Sequence, residues 1–242
     1  MKILRKPSQI LGYNVDCFSF EQALEYAVLS SGQIVTINPE MIMNAQKDKH
    51  FSKVLSEAEL VLADGVGVEI GLKLLGVNCK RIPGVEFGQA LLREYSKLDK
   101  SVAFIGAKSD IVNKAVENMK KMYPQLNVVY IHDGYFNDAE QLYEQLEKVR
   151  PDLILVALGS PKQEFFIYNL KERLPNSLMI GLGGSFDVWA GAVKRAPVLF
   201  QKIGMEWFYR TVLEPKRLKR IFPTLLLFIL KVLKERSELN VK

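Results

Sequence analysis

The sequence predicts an α/β fold, a Rossmann-like and largely parallel sheet flanked by helices. Short apolar runs alternate along the chain with longer amphipathic stretches, and most of these runs end in glycine or a small polar residue. Alternating strands and helices are typical of parallel sheets built from βαβ units. The composition agrees, because 48% of the 242 residues are hydrophobic and 25% are charged, as in an ordinary soluble domain.

The individual elements follow from local patterns. The predicted strands are residues 10–15, 33–37, 60–63, 102–105, 128–131, 152–158 and 178–182. The predicted helices are residues 20–29, 51–58, 68–75, 85–98, 110–122, 140–149 and a last one that ends near residue 173. Ser19 and Gln22 fit a capping box at the start of the first helix. Pro39 suits the first turn of a further helix.

The C-terminal tail has a different character from the rest of the chain. From Arg195 onward there are 11 Lys and Arg against 4 Asp and Glu, whereas the remainder is nearly neutral. We therefore divide the chain into a catalytic α/β domain, residues 1–195, and a basic helical appendage, residues 196–242. Residues 200–213 are predicted to be helical, and a new segment starts at Pro215.

Residues 225–230 of the tail are six apolar residues in a row. This run is too short to span a bilayer, which takes about 20 residues. Its basic flanks are typical of a helix lying in a membrane interface. The same pattern fits a helix that packs an apolar stripe on the domain.

The cysteines and the N-terminus favour a cytoplasmic protein. Cys17 and Cys79 have no metal-like or redox-like spacing, so we expect two buried thiols in a reducing compartment. The N-terminus lacks the apolar stretch of a signal peptide.

Several common kinds of site are not supported. The two histidines, His50 and His132, lack the partners of a metal site, and no Asp-x-Asp pair is present to hold a divalent ion. Gly106 alone does not make the dinucleotide fingerprint, and the turn after it lacks the glycines of a P-loop. No Gly-x-Ser-x-Gly elbow of a serine hydrolase occurs. We expect no metal and no cofactor.

Polar residues at predicted strand ends mark the candidate site. Thr36 and Asn38 follow one strand and Asp64 follows another, and ligands of open α/β sheets bind at the carboxyl ends of strands. Asp64 precedes a glycine, so a plain turn-forming role stays open. Three further strand ends carry small residues, at Gly106, Gly159 and Gly184, which let backbone N–H groups approach a phosphate. Next to two of these turns stand Gln163 and Asp187.

Several ordered motifs together resemble the WecG/TagA/CpsF glycosyltransferase family. They are Thr-Ile-Asn-Pro-Glu at residues 36–40, Ala-Asp-Gly-Val-Gly at 63–67, Arg-Ile-Pro-Gly at 81–84, Gly-Ser-Pro-Lys-Gln-Glu at 159–164, Gly-Gly-Ser-Phe-Asp at 183–187 and Arg-Ala-Pro at 195–197. The match covers roughly residues 9–200, and the basic tail resembles the family's C-terminal appendage. Within the family the chain is most similar to the TagA branch.

The resemblance implies an activity. TagA-type enzymes transfer N-acetylmannosamine from its UDP sugar to lipid-linked N-acetylglucosamine, which forms the linkage disaccharide of wall teichoic acid. The family is inverting and is regarded as metal-independent. The implied partners are a UDP sugar, a polyprenyl-diphosphate-linked N-acetylglucosamine and the membrane surface. The implied location is the inner face of the cell membrane, with peripheral association.

The resemblance also assigns roles to residues. Asp64 would be the general base, and Thr36 and Asn38 would position sugar hydroxyls or the acceptor. Gln163 would hold the diphosphate, while Tyr135 and Asp187 would contact the uridine. Without a metal, the leaving UDP needs cations. The candidates are Arg81 in the body and Arg210, Arg217 and Arg220 in the tail.

Alternatives remain at this point. The donor could carry N-acetylmannosaminuronic acid or glucose for another surface polysaccharide. A nucleic-acid-binding module that uses the basic tail is a more distant alternative, disfavoured because the tail's charges flank leucines rather than stacking aromatics. An NAD-dependent oxidoreductase is disfavoured by the missing fingerprint. A homo-oligomer is compatible with the apolar tail.

Overall fold

The computed structural model describes residue 5, residues 7–193 and residues 215–239, the last stretch with side chains from residue 222 onward. In this part of the chain, six parallel strands form one sheet and two antiparallel strands form a hairpin. The predicted α/β fold with a parallel sheet is confirmed. The predicted helix at residues 200–213 lies outside the described residues.

The hairpin and the sheet are built from eight strands. Their bounds are β1 Pro7–Ile10, β2 Tyr13–Asp16, β3 Gly32–Ile37, β4 Leu60–Ala63, β5 Ser101–Gly106, β6 Asn127–His132, β7 Leu153–Ala157 and β8 Leu178–Gly181. The sheet order is β4-β3-β8-β7-β5-β6, so β3 and β8 are neighbours although they are far apart in the chain.

Helices cover both faces of this sheet. They are α1 Phe20–Val28, α2 Pro39–Ala45, α3 Lys49–Ser56, α4 Val66–Leu74, α5 Gly84–Lys97, α6 Ser109–Met122, α7 Ala139–Val149, α8 Lys162–Lys171, α9 Ser185–Trp189 and the C-terminal helix Pro215–Leu239. The capping box predicted at Ser19 is confirmed, since Ser19 Oγ accepts from the Gln22 amide and Gln22 Oε1 accepts from the Ser19 amide. Pro39 begins α2, as predicted.

The single strand predicted at residues 10–15 is wrong. The chain instead turns back at Leu11 and Gly12 and forms the β1–β2 hairpin. Both turn residues have positive φ, 51° and 86°, as the tight turn of a two-residue hairpin requires. A leucine in this conformation is uncommon, so the turn was not apparent in the sequence.

Side chains of alternate residues in the buried strands lie on opposite faces of the sheet and belong to separate hydrophobic cores. One core packs under α1, α5, α6 and α9 and is centred on Phe87, Phe104 and Phe186. On the other face, α7 and α8 cover the β5–β7 half of the sheet. The β3–β4 half of that face is covered by α2, α3, α4 and the C-terminal helix. Burial on both faces explains why these strands are continuously apolar.

Cys17 and Cys79 are joined as a disulfide between the segment after β2 and the segment before α5. The expectation of two separate buried thiols is therefore wrong. The pairing could not be read from spacing, because 62 positions separate the two cysteines and the fold brings their Cα atoms to 4.8 Å.

The C-terminal helix packs on the body of the protein. Phe228 and Val232 are fully buried in the core of this face. Gly71 in α4 lets the helix approach closely, since a Cβ there would meet the Phe228 ring at 3.1 Å. Glu235 also accepts a 3.0 Å hydrogen bond from the Leu11 amide. One face of the tail thus behaves as a core helix, and the domain boundary near residue 195 stays a prediction.

The opposite side of the same helix carries large apolar side chains in contact with solvent. The exposed residues on this side are Phe222, Leu226, Leu227, Leu230 and Leu233, and Leu239 is exposed at the end of the helix. Within the described ranges, no helix has the combination of length and hydropathy required to cross a bilayer.

Candidate active site

A cavity of about 460 Å³ lies at the carboxyl ends of β3, β4, β7 and β8. From β3 the chain continues outward to β4, whereas β8 is reached from β7 on the other side. Such a reversal of strand order opens a crevice, and ligands of α/β sheets bind there. The lining includes six of the predicted site residues: Thr36, Asn38, Asp64, Gly159, Gln163 and Gly184.

Asp64 is delivered to this crevice by β4. Its backbone amide donates to the Ile37 carbonyl at 2.8 Å, which continues the β3–β4 pairing one residue past the strand. Gly65 then turns the chain with φ of 82°, and α4 begins at the next residue. The Asp64 side chain is half-buried in the cavity wall. A carboxylate held this way on a rigid strand end can accept a proton from a hydroxyl placed in the cavity.

Thr36 and Asn38 stand at the end of the neighbouring β3. Asn38 caps α2, because its Oδ1 accepts a 3.0 Å hydrogen bond from the Met41 amide. The cap occupies the amide oxygen and leaves the Asn38 nitrogen to donate to a ligand. Thr36 borders the first residue of α5, since a Cβ on Gly84 would lie 3.5 Å from the Thr36 hydroxyl.

Gln163 is held in a fixed orientation at the start of α8. Its Oε1 accepts from the Gly183 amide at 2.9 Å, and its Nε2 donates to Glu164 Oε1 at 2.8 Å. The residue is 5% exposed and lines the cavity. The amide has a second N–H, which is available for an anionic oxygen of a ligand.

Tyr135 and Asp187 line a second cavity of about 900 Å³. It lies at the carboxyl ends of β5, β6 and β7, beside the first cavity, because the turn between β7 and α8 contributes to both. Tyr135 is exposed and its amide donates to Asp133 at 2.8 Å, whereas Asp187 is half-buried. Lys108 and Lys162 bring two cations to this wall.

Two predicted residues of the body are not part of the described lining of either cavity. Arg81 is half-buried in the segment before α5, where its amide lies 3.4 Å from Glu69 Oε2. Gly106 is a glycine for a packing reason, since a Cβ there would meet the Ala157 carbonyl oxygen at 2.4 Å. The ligand contacts predicted for both residues stay predictions.

The tail arginines are described only in part. Arg210 lies outside the described residues, and Arg217 and Arg220 belong to the described helix without a described side chain. Leu225 lies against Gly67 at the start of α4, and Phe228 lies against Gly71 one turn later. The C-terminal helix therefore runs alongside α4, away from the carboxyl edge of the sheet. Its first ten residues, about 15 Å of helix, precede the turns that pack on α4 and include Pro223.

Sequence reasoning gave no role to Lys108 and Lys162, which line the larger cavity, to Glu40 and Asn44, which line the smaller one, or to Glu164, which contacts Gln163. Lys162 and Glu164 flank Gln163 in the motif that carried part of the resemblance, so their position was a usable signal. Glu164 is 3% exposed, and this burial raises its pKa despite opposing hydrogen bonds from the Gln163 and Ser160 side chains.

No group of three or more His, Cys, Asp or Glu side chains in the described ranges is arranged to hold a metal ion. The polar side chains of the crevice are instead two carboxylates, three amides and hydroxyl groups, with lysines in the adjoining cavity. This set suits hydrogen bonding to sugar hydroxyls and to a diphosphate.

Known proteins resemble this chain along most of its length. The N-acetylglucosaminyldiphosphoundecaprenol N-acetyl-beta-D-mannosaminyltransferase of Bacillus subtilis (strain 168) is 39% identical over 205 residues, which is 84% of this chain and 80% of the relative. The enzyme of the same name from Staphylococcus aureus (strain NCTC 8325 / PS 47) is 32% identical over 209 residues, 86% of this chain and 82% of the relative.

The sequence profile of the glycosyl transferase WecG/TagA/CpsF family matches residues 8–242. This range includes both cavities and the C-terminal helix. The chain therefore belongs to the WecG/TagA/CpsF family of glycosyl transferases.

Proposed function

We propose that this protein transfers N-acetylmannosamine from UDP-N-acetylmannosamine to N-acetylglucosamine linked to undecaprenyl diphosphate, the step that forms the linkage disaccharide of wall teichoic acid. The observation that carries the proposal is the convergence of Thr36, Asn38, Asp64 and Gln163 in one crevice at the reversal of strand order. The names of the 32–39% identical relatives supply the sugar and the acceptor.

Asp64 acts as the general base in this proposal. It takes the proton of the attacking acceptor hydroxyl, the hydroxyl oxygen bonds to the anomeric carbon, and the bond from that carbon to UDP breaks with its electron pair leaving on UDP. This single displacement inverts the anomeric centre. The β linkage in the relatives' names agrees with inversion of an α-linked sugar nucleotide.

The donor spans the two adjoining cavities. The uridine occupies the larger one against Tyr135 and Asp187, and the diphosphate reaches the turns at Gly159 and Gly184 beside Gln163. In a metal-independent reaction, cations must stabilise the charge that develops on UDP. Lys108 and Lys162 line the larger cavity and would supply such charge. The further candidates are Arg81, Arg210, Arg217 and Arg220.

The C-terminal helix docks the enzyme on the membrane that holds the acceptor. Its solvent-facing leucines supply apolar surface, and Lys216, Arg217, Lys219 and Arg220 near its start supply positive charge for anionic lipid. The protein then works peripherally at the inner face of the cell membrane.

UDP release tests the proposed substrates. The assay compares UDP-N-acetylmannosamine, UDP-N-acetylmannosaminuronic acid and UDP-glucose, each with and without a lipid-diphosphate-linked N-acetylglucosamine. We expect release that depends on the acceptor with UDP-N-acetylmannosamine only. Faster acceptor-dependent release from either other donor would reject the donor but keep the enzyme class, and no release from any of them would reject the proposal.

A further inference from the structure

Glu164 is a buried carboxyl group for which the transfer reaction has no assigned use. It lies in the first turn of α8, behind the crevice, and only 3% of it is exposed. Its Oε1 accepts the hydrogen bond from Gln163 Nε2, while its Oε2 is buried without a hydrogen-bond partner. An ionised carboxylate in this position would leave a charge buried without a compensating cation, which is strongly unfavourable.

A second unpaired oxygen lies on a residue that already contacts Glu164. Gln33 in β3 is fully buried, and its Nε2 donates to the Glu164 backbone carbonyl at 3.2 Å. The side-chain oxygen of Gln33 is buried without a partner. Glu164 Oε2 and Gln33 Oε1 are thus two neighbouring buried acceptors without a donor. A protonated Glu164 carboxyl would supply one O–H donor at this place, so the pair indicates that Glu164 carries a proton.

Gln163 connects Glu164 to the front of the crevice, because it lines the cavity and its Nε2 donates to Glu164 Oε1 at 2.8 Å. The Ser160 hydroxyl, on the same cavity wall, also interacts with the Glu164 carboxyl. The Gly183 amide and Glu164 Oε1 hold the two ends of the Gln163 amide group. Because Oε1 and Nε2 of Gln163 are both held by hydrogen bonds, the second N–H of Nε2 has a fixed orientation. Gly181 makes room for this arrangement, because a Cβ there would lie 2.6 Å from Gln163 Nε2.

We propose that Glu164 is a positioning residue, held as a neutral carboxylic acid behind the crevice, that fixes the Gln163 amide toward the diphosphate of the donor. The positioning role rests on the proposed function, whereas the neutral state rests on the burial and the unpaired oxygens alone. A neutral group here avoids placing a negative charge behind the site of a dianionic ligand. Burial is the largest influence on the pKa of Glu164 and raises it, and no charged side chain of the described chain contributes.

Infrared spectroscopy tests the protonation state without reference to activity. At neutral pH, we expect the wild type to show the C=O stretching band of a protonated carboxylic acid, and Glu164→Gln to lack it. Glu117→Gln is the matched control, since Glu117 is an exposed carboxylate whose pKa is lowered to about 2 by Lys114 and Lys121. Its substitution should leave the band in place. Absence of the band from the wild type would overturn the proposal.

Affinity for UDP tests the positioning role. Glu164→Met removes the acceptor, so we expect the Kd for UDP to rise about tenfold, as for the loss of one oriented hydrogen bond to a charged group. Glu164→Gln keeps a neutral acceptor and adds a donor for Gln33, and should restore affinity to within about threefold of wild type. In a Gln163→Ala background, Glu164→Met should add little, because the group that it positions is gone.

These results separate the inference from the proposed function. If Glu164→Gln binds UDP as weakly as Glu164→Met, or if Glu164→Met weakens binding equally without Gln163, the positioning role is rejected even when the wild type turns over UDP-N-acetylmannosamine. Conversely, a protein with the band and with rescue by Glu164→Gln, but without that turnover, would retain the inference and lose the proposed donor.

Discussion

At the scale of single residues, the Glu164 carboxyl predicts an unusual dependence of stability on pH. Burial raises its pKa above the ordinary value of 4.5, so between these two pKa values the folded state holds a proton that the unfolded chain has lost. The free energy of unfolding therefore falls as pH rises through this window.

Glu164→Gln cannot ionise and escapes this loss, so its stability relative to wild type should increase as pH rises from 4.5 to neutrality. Urea unfolding of both proteins at pH 4.5 and at neutral pH measures the difference. A difference that stays constant between these conditions would contradict the raised pKa. Glu117→Gln, at an exposed site, serves as the control, and its stability relative to wild type should fall rather than increase as pH rises.

The sequence was informative about residues whose chemistry is local. Asp64, Thr36 and Asn38 follow apolar strands, and the parallel sheet brings their strand ends together as the pattern predicts. The burial of Glu164 was not identified, because its neighbourhood along the chain does not reveal the contact with Gln33 of β3. The same limit applies to Cys17 and Cys79, whose contact exists only in the folded chain.

At the scale of elements, the C-terminal helix has two apolar sides, one packed on the body and one in contact with solvent. Phe228 is fully buried against Gly71, whereas its neighbour Leu227 is 43% exposed. The six-residue apolar run predicted this helix but could not say which side packs, since an interfacial helix and a core helix make the same demands on sequence.

Phe228→Ala should therefore lower the free energy of unfolding by about 3 kcal/mol or more, because it opens a cavity in the core. Leu227→Ala is the matched control one residue earlier, with an expected effect of about 0.5 kcal/mol or less. Urea unfolding measures both, and amide hydrogen exchange across residues 222–239 shows whether the helix detaches. Equal effects of the two substitutions would contradict the packing.

At the scale of the whole molecule, the C-terminal helix that we propose as the membrane contact is also part of the core of the α/β body. A simple truncation of the tail would remove Phe228 and Val232 from the core and confound docking with stability. The informative change is instead Leu226→Gln with Leu230→Gln, on the exposed side of the helix.

This double variant should keep the stability of the body and lose binding to vesicles that contain anionic lipid, because it removes apolar area from the interface. Vesicle flotation at two salt concentrations measures the binding. The control is Leu29→Gln, an equally apolar and more exposed residue at the end of α1, on the other face of the sheet. Unchanged flotation of the double variant, or equal loss in the control, would contradict docking through this helix.

The overall architecture was predictable because strand and helix periodicities repeat along the chain, and the six-stranded parallel sheet follows from them. The β1–β2 hairpin was missed because Leu11 adopts a positive φ that its residue type does not suggest. The packing of the tail on the body could not be predicted for a similar reason. Gly67 and Gly71 can be recognised as the contact surface only in the folded chain, where Leu225 and Phe228 of the C-terminal helix lie against them.

The measurement that tests the central claim most directly is acceptor-dependent UDP release from UDP-N-acetylmannosamine in EDTA, by wild type and Asp64→Asn. If Asp64 is the general base of a metal-independent transfer, wild-type release survives EDTA and Asp64→Asn lowers kcat by about 10²- to 10⁴-fold. Asp99→Asn, which changes an exposed carboxylate just before β5 at the opposite edge of the sheet, should retain wild-type turnover. Release that persists in Asp64→Asn would reduce Asp64 to a turn residue, and loss of wild-type release in EDTA would contradict the metal-independent mechanism.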